Sequence, residues 1–337
     1  MTRHRWAAAW ALRDVFAALM ALTAFSAQAQ TAAPAPVAID KPLRVIVPFA
    51  AGNTLDAALR QVAEVYQRNT GQALIVDNRP GGGGLIAAQA LLQAPADGHT
   101  LLLANTSLLS INPHTFSKLP YDAEKSFRPV TLFLGAALVL AVNTAHVPAQ
   151  TLGDFVAWAK PLGGKVSFAS FTAGNSSHFA GVILNQRAGL DMVHVPYNGT
   201  PPAVQNLVGG QVHSAFVTLL AVKPHVETGK VRVLAVSSPK RSPLMPAVPT
   251  FTEAGFPDLQ IYLWSGLVAQ AGVPDAVVAR LNTELVKALA SAEIRDKWRA
   301  VDFDPLPSTP EEMARFTRTE SKRWAEAVRL SGFKASE

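Results

Sequence analysis

Short apolar runs alternate along this chain with segments whose apolar residues recur at helical spacing. Residues 45–47 (VIV) form the first run and predict a buried strand. A small polar turn follows, and then Leu55, Leu59 and Val62 recur at the spacing of an amphipathic helix. Thr54 is the predicted N-cap of that helix. A strand that enters a helix through such a turn leaves backbone N–H groups free to meet an anion.

The same alternation continues through most of the sequence. Further strands are predicted at residues 74–76, 100–104, 130–133, 138–142, 166–169, 192–195, 214–217, 231–236 and 264–269. Further helices are predicted at residues 85–92, 151–159, 176–188, 203–208, 222–228, 274–290, 292–299 and 310–332. Strands that alternate with helices in this way are typical of an α/β fold with parallel sheets.

Composition places the chain among globular proteins. Its 337 residues are enough for two domains, and 49% are hydrophobic while 16% are charged. The net charge is +6, but the sequence has no cluster of lysine or arginine that would bind a phosphate backbone. No nucleic-acid partner is therefore expected. The chain has no cysteine, which excludes a disulfide scaffold.

The N-terminus has the pattern of a secretory signal peptide. Arg3 and Arg5 form a basic region, residues 15–25 are an apolar run, and an A-x-A cleavage site ends at Ala29. We therefore predict a signal peptide at residues 1–29, cleavage after Ala29 and a Pro/Ala-rich linker at residues 30–40. The mature protein is expected in the periplasm.

Sequence motifs for catalysis and for cofactors are weak or missing. Residues 81–87 (GGGGLIA) match a dinucleotide fingerprint, but four residues separate them from the strand and Asn105 stands where an acidic ribose ligand is expected. No hydrolase elbow, P-loop or histidine pair at metal-ligand spacing occurs. His178 and His194 are interpreted as capping or core histidines. The sequence thus predicts no cofactor, no metal site and no catalytic residue.

Three loops at predicted strand ends are rich in Gly, Ser, Thr and Asn. They cover residues 50–56, 104–107 and 170–177. Ligands of open α/β sheets bind at the carboxyl ends of strands. Backbone amides and hydroxyls with few charged side chains suit the binding of a small polar anion that is not chemically transformed.

Ordered motifs along the chain resemble those of the Bug-type solute-binding proteins of tripartite tricarboxylate transporters. They are residues 47–49 (VPF) with Gly52 and Asp56, and then 76–81 (VDNRPG), 96–101 (ADGHTL), 111–113 (INP), 119–121 (LPY), 194–197 (HVPY), 209–212 (GGQV) and 248–255 (VPTFTEAG). The similarity runs from about residue 41 to about residue 332, which is nearly the whole mature chain.

The resemblance implies a type II periplasmic binding protein fold, in which two α/β lobes enclose a ligand cleft. The first lobe would take residues 41–140 and 245–337, and the second would take residues 141–244. It also implies that a carboxylate is held by the first strand–helix loop and by the loop before a helix of the second lobe. The ligand-binding residues expected on this basis are Phe49, Ala50, Gly52, Asn53, Thr54, Asp56, Thr106, Ser107, Thr172, Ala173, Gly174, Asn175, Ser176, Ser177, Tyr197 and Thr218.

Two departures from the family pattern bear on the ligand. Asn53 stands where the family usually has a second glycine, and Val217 with Thr218 stands where it often has Asp-Asn. At residues 217–218 the chain therefore lacks an acidic side chain that could bind a ligand amine. We predict a non-amino carboxylate, with a di- or tricarboxylate or an aromatic acid favoured over aspartate or glutamate.

The predicted function is that of a monomeric periplasmic receptor that delivers a small carboxylate to the membrane subunits of its transporter. Two alternatives stay open on the sequence. An extracytoplasmic sensor subunit would share every pocket residue and differ in its partner. A hydrolase would need a nucleophile and a base within hydrogen-bond reach, and the sequence nominates neither.

Overall fold

The computed structural model describes residues 41–333. The predicted signal peptide, the predicted linker and residues 334–337 of the predicted first lobe lie outside this range. Within it the chain forms ten strands and ten α-helices. None of the helices in the described range is both long and apolar enough to cross a membrane.

The element bounds follow the predicted alternation closely. The strands are β1 (Leu43–Val47), β2 (Leu74–Asn78), β3 (Thr100–Asn105), β4 (Phe127–Asn143), β5 (Ser167–Ser170), β6 (Val193–Pro196), β7 (Ser214–Thr218), β8 (Val231–Val236), β9 (Tyr262–Gln270) and β10 (Phe303–Pro305). The helices are α1 (Thr54–Thr70), α2 (Leu85–Leu92), α3 (Asn112–Thr115), α4 (Leu152–Ala159), α5 (Ser176–Ala188), α6 (Thr200–Val208), α7 (Leu219–Glu227), α8 (Asp275–Leu289), α9 (Ala292–Arg299) and α10 (Pro310–Ser331).

Helix α1 begins one residue earlier than the predicted cap implies. Asn53, in an extended conformation, is the N-cap, and its side-chain oxygen accepts the N–H of Leu55 at 3.0 Å. Thr54 is already the first helical residue, so the prediction of Thr54 as the cap was wrong. The helix ends at Gly71, whose φ of 76° closes the last turn in the left-handed conformation.

The strands form one sheet, in the order β2-β1-β3-β9-β4-β7-β5-β6. In its first half, β1 runs parallel to both neighbours, with Val45 opposite Val76 and Leu101. Strand β9 returns antiparallel between β3 and β4. In its second half, β5 runs parallel to β6 and β7. Two core clusters fill each half, and helices cover both faces of the strands.

Strand β4 is shared by the two halves. The apolar pattern predicted two short strands at 130–133 and 138–142, but the structure has a single strand of 17 residues. The intervening residues 134–137 are small or apolar and lie in register with β9, so nothing breaks the ladder there. Ala136 has Leu263 of β9 on one edge and Phe303 of β10 on the other. Farther along, β7 and β8 take those two edges.

Candidate functional site

The carboxyl ends of the parallel strands in both sheet halves meet the same part of β4. At the end of β3, Asn105 pairs with Ser265 of β9, which in turn pairs with Leu134 of β4. From the other half, Thr218 at the end of β7 pairs with Leu138 of β4. The two sets of strand-end loops therefore face each other across residues 134–138 of β4. This is the edge at which open α/β sheets bind ligands.

The first candidate loop, residues 49–56, is organised by Asp56. This residue is 1% exposed. Its Oδ1 accepts hydrogen bonds from Arg60 Nη2 at 3.0 Å and Asn78 Nδ2 at 2.9 Å. Its Oδ2 accepts from the Gly52 N–H at 2.9 Å and from Arg60 Nε at 3.1 Å. One carboxylate thus joins the loop to its own helix and to the end of β2.

These contacts also set the charge of Asp56. Burial by itself would raise the pKa of this carboxyl. Hydrogen bonds from Arg60, the Gly52 N–H and Asn78, together with the charge of Arg60, outweigh burial and hold the pKa below its usual value. Asp56 is therefore ionised at neutral pH and neutralised by Arg60. In the same loop Phe49 is half-buried against the core, while Ala50, Asn53 and Thr54 are exposed.

Thr106 and Ser107 follow β3 and play different parts. Thr106 is buried, and its hydroxyl donates to the carbonyl of Trp264 and accepts the N–H of the same residue, both at 3.0 Å. It therefore fixes the strand end to β9. Ser107 opens a π-helical turn, and its half-buried hydroxyl has no partner among residues 41–333. Of these two predicted site residues, Ser107 has the free hydroxyl.

The second candidate loop, residues 172–177, is held by its helix cap. Asn175 Oδ1 accepts the N–H groups of Ser177 and His178, both at 3.1 Å, and the hydroxyl of Ser177 at 2.8 Å. The Ser177 oxygen in turn accepts the N–H of Phe171 at 3.2 Å. Asn175 and Ser177 thus shape this loop from within. Thr172 and Ala173 are exposed, and Gly174 turns the chain with a φ of 69°.

Ser176 differs from its neighbours in this loop. This residue is only 2% exposed, and its hydroxyl has no hydrogen-bond partner in the described part of the chain. Its oxygen is not among the fully buried polar atoms that lack a partner, so it is accessible from outside the chain at the first position of α5. A carboxylate oxygen at this helix terminus would satisfy both the hydroxyl and the positive end of the helix.

The remaining two predicted residues, Tyr197 and Thr218, lie on the same edge of the second sheet half. The Tyr197 N–H donates to the carbonyl of Ser170 at 3.0 Å, which sets it beside the start of the second candidate loop. Its half-buried ring raises the pKa of its hydroxyl, because burial disfavours the phenolate. Thr218 precedes α7 and makes no capping bond with its side chain.

The sequence missed a cluster of rings beside the second candidate loop. The imidazoles of His178 and His194 stack with centroids 3.8 Å apart. His178 Nδ1 accepts the N–H of Gly174 at 3.2 Å, and His194 Nε2 lies 2.6 Å from the hydroxyl of Ser170. Phe333, which follows α10, packs edge-on against His178 and lies next to Gly174. His178 and His194 were interpreted from the sequence as capping or core histidines, and here they pack against each other. No pattern in the sequence indicates this contact.

Comparison with known proteins gives consistent results. A family model described as "Tripartite tricarboxylate transporter family receptor" matches residues 58–333. Protein BugT of Bordetella pertussis is 33% identical over 305 residues, which cover 89% of this chain and 93% of BugT.

Two solved structures from Rhodopseudomonas palustris share the fold. Rpa4515 with adipate is 28% identical, has a TM-score of 0.81, and is matched over 88% of this chain and 99% of its own. MatC with bound malate is 30% identical, has a TM-score of 0.76, and is matched over 86% of this chain and 100% of its own. The predicted α/β fold with two lobes is confirmed by likeness to periplasmic binding proteins of this kind.

Proposed function

This chain belongs to the tripartite tricarboxylate transporter receptor family, and we propose that it captures a small organic carboxylate and delivers it to the membrane subunits of such a transporter. The resemblance predicted from the sequence motifs is confirmed by the family match. The family is one of solute-binding receptors, so the proposed activity is binding without catalysis.

The observation that carries the proposal is the meeting of two sets of strand-end loops at one stretch of β4. Their free side-chain groups are neutral hydroxyls and amides, and α1 and α5 both begin there. Helix N-termini attract anions through their N–H groups and their partial positive charge. Adipate and malate, bound by the two relatives from Rhodopseudomonas palustris, are both dicarboxylates.

The finer features belong to the same proposal. We propose that the chain is exported by a signal peptide cleaved after Ala29 and works as a monomer in the periplasm. The two lobes would be residues 41–140 with 245–337, and residues 141–244. All sixteen predicted ligand-binding positions are retained. Among them, Asp56, Thr106, Asn175 and Ser177 would act by holding the loops in place, because their polar atoms already have partners within the chain.

A thermal-shift screen of the purified protein tests this function. Ligand that binds only the folded state stabilises it by RT ln(1 + [L]/Kd), about 2.7 kcal/mol at a hundredfold excess over Kd. We expect at least one small di- or tricarboxylate or aromatic acid to raise the melting temperature. Succinate, malate, adipate, citrate and benzoate form the first panel.

The matching methyl esters are the control, since they keep the carbon skeleton and remove the charge. We expect the esters to leave the melting temperature unchanged, because the helix termini and hydroxyls recognise the anion. A shift of equal size with an ester would contradict carboxylate recognition.

A further inference from the structure

We infer that the cleft selects carboxylates that carry no amino group, because the acid in its loops, Asp56, has no acceptor site left for an ammonium. The inference rests on the proposed function and names the ligand class more closely. It is carried by the hydrogen bonds around Asp56, which the sequence does not reveal.

An ionised carboxylate offers about four lone-pair sites, two on each oxygen. In Asp56 all four are taken by donors of the chain itself, at distances between 2.9 and 3.1 Å. Arg60 supplies two of these donors and a full positive charge. An ammonium could reach Asp56 only by displacing one of these groups, and it would then lie beside the Arg60 guanidinium.

Other carboxylates near the strand ends are also engaged. Asp77, in β2, pairs with Arg44 Nε at 3.1 Å and with Arg79 Nε at 3.0 Å. Asp302 accepts the hydroxyl of Ser242 at 2.7 Å, and Asp304 accepts the hydroxyl of Tyr262.

Asp302 and Asp304 are also remote from the first candidate loop. Strand β10 pairs with β4 on the edge opposite β9, which places it four strands from β1. At about 4.8 Å per strand, this separation is about 19 Å.

The side chains of the candidate loops that lack partners within residues 41–333 carry no charge. They are the hydroxyls of Thr54, Ser107, Thr172, Ser176, Tyr197 and Thr218. Such groups can donate to a carboxylate oxygen, but they cannot offset the charge of an ammonium that has left water. The N-termini of α1 and α5 add partial positive charge at the same place, which favours an anion and disfavours a cation.

Calorimetric titration of the wild-type protein with matched pairs tests the inference. The pairs are succinate and aspartate, glutarate and glutamate, adipate and 2-aminoadipate, and 3-phenylpropionate and phenylalanine. In every pair that binds, we expect the member without an amino group to bind at least about tenfold more tightly, because a desolvated ammonium lacks a partner. An amino member that binds as tightly as its partner would overturn the inference and leave carboxylate capture standing. If neither these eight acids nor any carboxylate of the thermal-shift screen binds, the proposed function is overturned and the inference with it.

A pair of arginine variants tests the cause. Arg60→Ala frees one acceptor site on each oxygen of Asp56. The ratio of dissociation constants between the amino member and its partner should therefore fall by about threefold, which corresponds to the free energy of one exposed ion pair. Arg79→Ala is the control, since Arg79 pairs with Asp77 and does not touch Asp56. It should leave the preference unchanged. The same preference in Arg60→Ala as in the wild type would show that the saturation of Asp56 is not its origin.

Discussion

Two neutral imidazoles support the second candidate loop at the scale of single residues. Burial lowers the pKa of His178 to about 4, and burial together with the charge of the neighbouring His178 lowers the pKa of His194 to about 4. A protonated His178 could no longer accept the N–H of Gly174 through Nδ1. The stacked pair therefore accepts the Gly174 N–H only while His178 is uncharged.

The first prediction concerns acid stability. Between the ordinary histidine pKa of 6.5 and the folded value of about 4, the unfolded chain binds more protons than the folded one. The free energy of unfolding should therefore fall as the pH falls through this range. His178→Phe keeps an aromatic ring in the stack and removes one titrating group. Its melting temperature should fall less than that of the wild type between pH values of about 7 and 4.

Differential scanning calorimetry of both proteins across this pH range measures the effect. The carboxylates titrate alike in the two proteins, so the difference between the curves reports on His178 and on its effect on His194. Parallel curves would mean that His178 is not kept neutral by folding.

The sequence identified individual residues of the first candidate loop better than it identified their hydrogen-bond partners. Asn53 and Thr54 are both good cap residues, and only the bond from Leu55 shows which one closes the helix. Asp56 stood out in its motif, but two of its four hydrogen bonds come from outside its helix: from the backbone of Gly52 and from the side chain of Asn78 at the end of the neighbouring strand. Its saturation depends on how β1 and β2 pair, which no local pattern contains.

At the scale of elements, α10 connects the first sheet half with the second candidate loop. Its N-terminus is closed by a capping box between Thr309 and Glu312. Midway, Glu320 accepts the indole N–H of Trp264 in β9 at 3.3 Å. Past its C-terminus, the ring of Phe333 lies against Gly174 and His178. A single helix thus ties a strand of the first half to a ligand loop of the second.

The second prediction removes that last contact. Phe333→Ala deletes a half-buried ring, which should lower the free energy of unfolding by about 1–2 kcal/mol, less than the loss for a fully buried phenylalanine. Because the ring supports Gly174, carboxylate affinity should fall by several-fold as well. Urea denaturation measures the first effect and calorimetric titration with the best carboxylate of the screen measures the second.

Leu330→Ala is the matched control for this variant. Leu330 lies in the last turn of α10 and is 40% exposed, and it is not among the residues that pack with Phe333 on the core of the second sheet half. Its affinity should equal that of the wild type. If Phe333→Ala bound the ligand as tightly as Leu330→Ala, the ring would have no part in positioning the loop.

The elements that sequence did not predict correctly are those defined by pairing. Strand β10 has three residues, too few for any period to show, and exists because Phe303 and Asp304 pair with β4. Strand β4 was predicted as two short strands, with Gly135 between them. The ring of Tyr262 occupies the space that a side chain at Gly135 would fill, so the glycine accommodates a neighbour instead of ending the strand.

At the scale of the whole molecule, the two sheet halves are joined where β4 passes from one to the other. Ser237, directly after β8, is 2% exposed and lies beside this point. Its N–H donates to the carbonyl of Leu138, and its hydroxyl accepts the N–H of Leu138, both at 2.8 Å. The same hydroxyl donates to the carbonyl of Ile261, just before β9. One serine therefore links β4 to both ends of the segment that returns to the first half.

The third prediction concerns this serine. Ser237→Ala leaves the Leu138 N–H and the Ile261 carbonyl without their partner in a buried place, which should cost about 1–3 kcal/mol of unfolding free energy. Urea denaturation measures the loss. Ser238→Ala is the control, because that hydroxyl bonds only the carbonyl of Lys240 at an exposed site and should change stability by less than about 0.5 kcal/mol. Equal stability of the two variants would contradict the role given to Ser237.

The position of β9 has a consequence for how the chain reaches this structure. Leu102 of β3 pairs with Val268 of β9, about 165 residues later in the sequence. The first half of the sheet therefore remains incomplete until the chain beyond the entire second half has been synthesised. Contacts so distant in sequence close slowly, because the entropy of a long loop is lost before the pairing is gained. Until then the edge of β3 is bare, and a bare edge pairs readily with strands of other chains. The same topology that brings the two sets of loops together thus leaves this strand edge open until residues 262–270 are available to cover it.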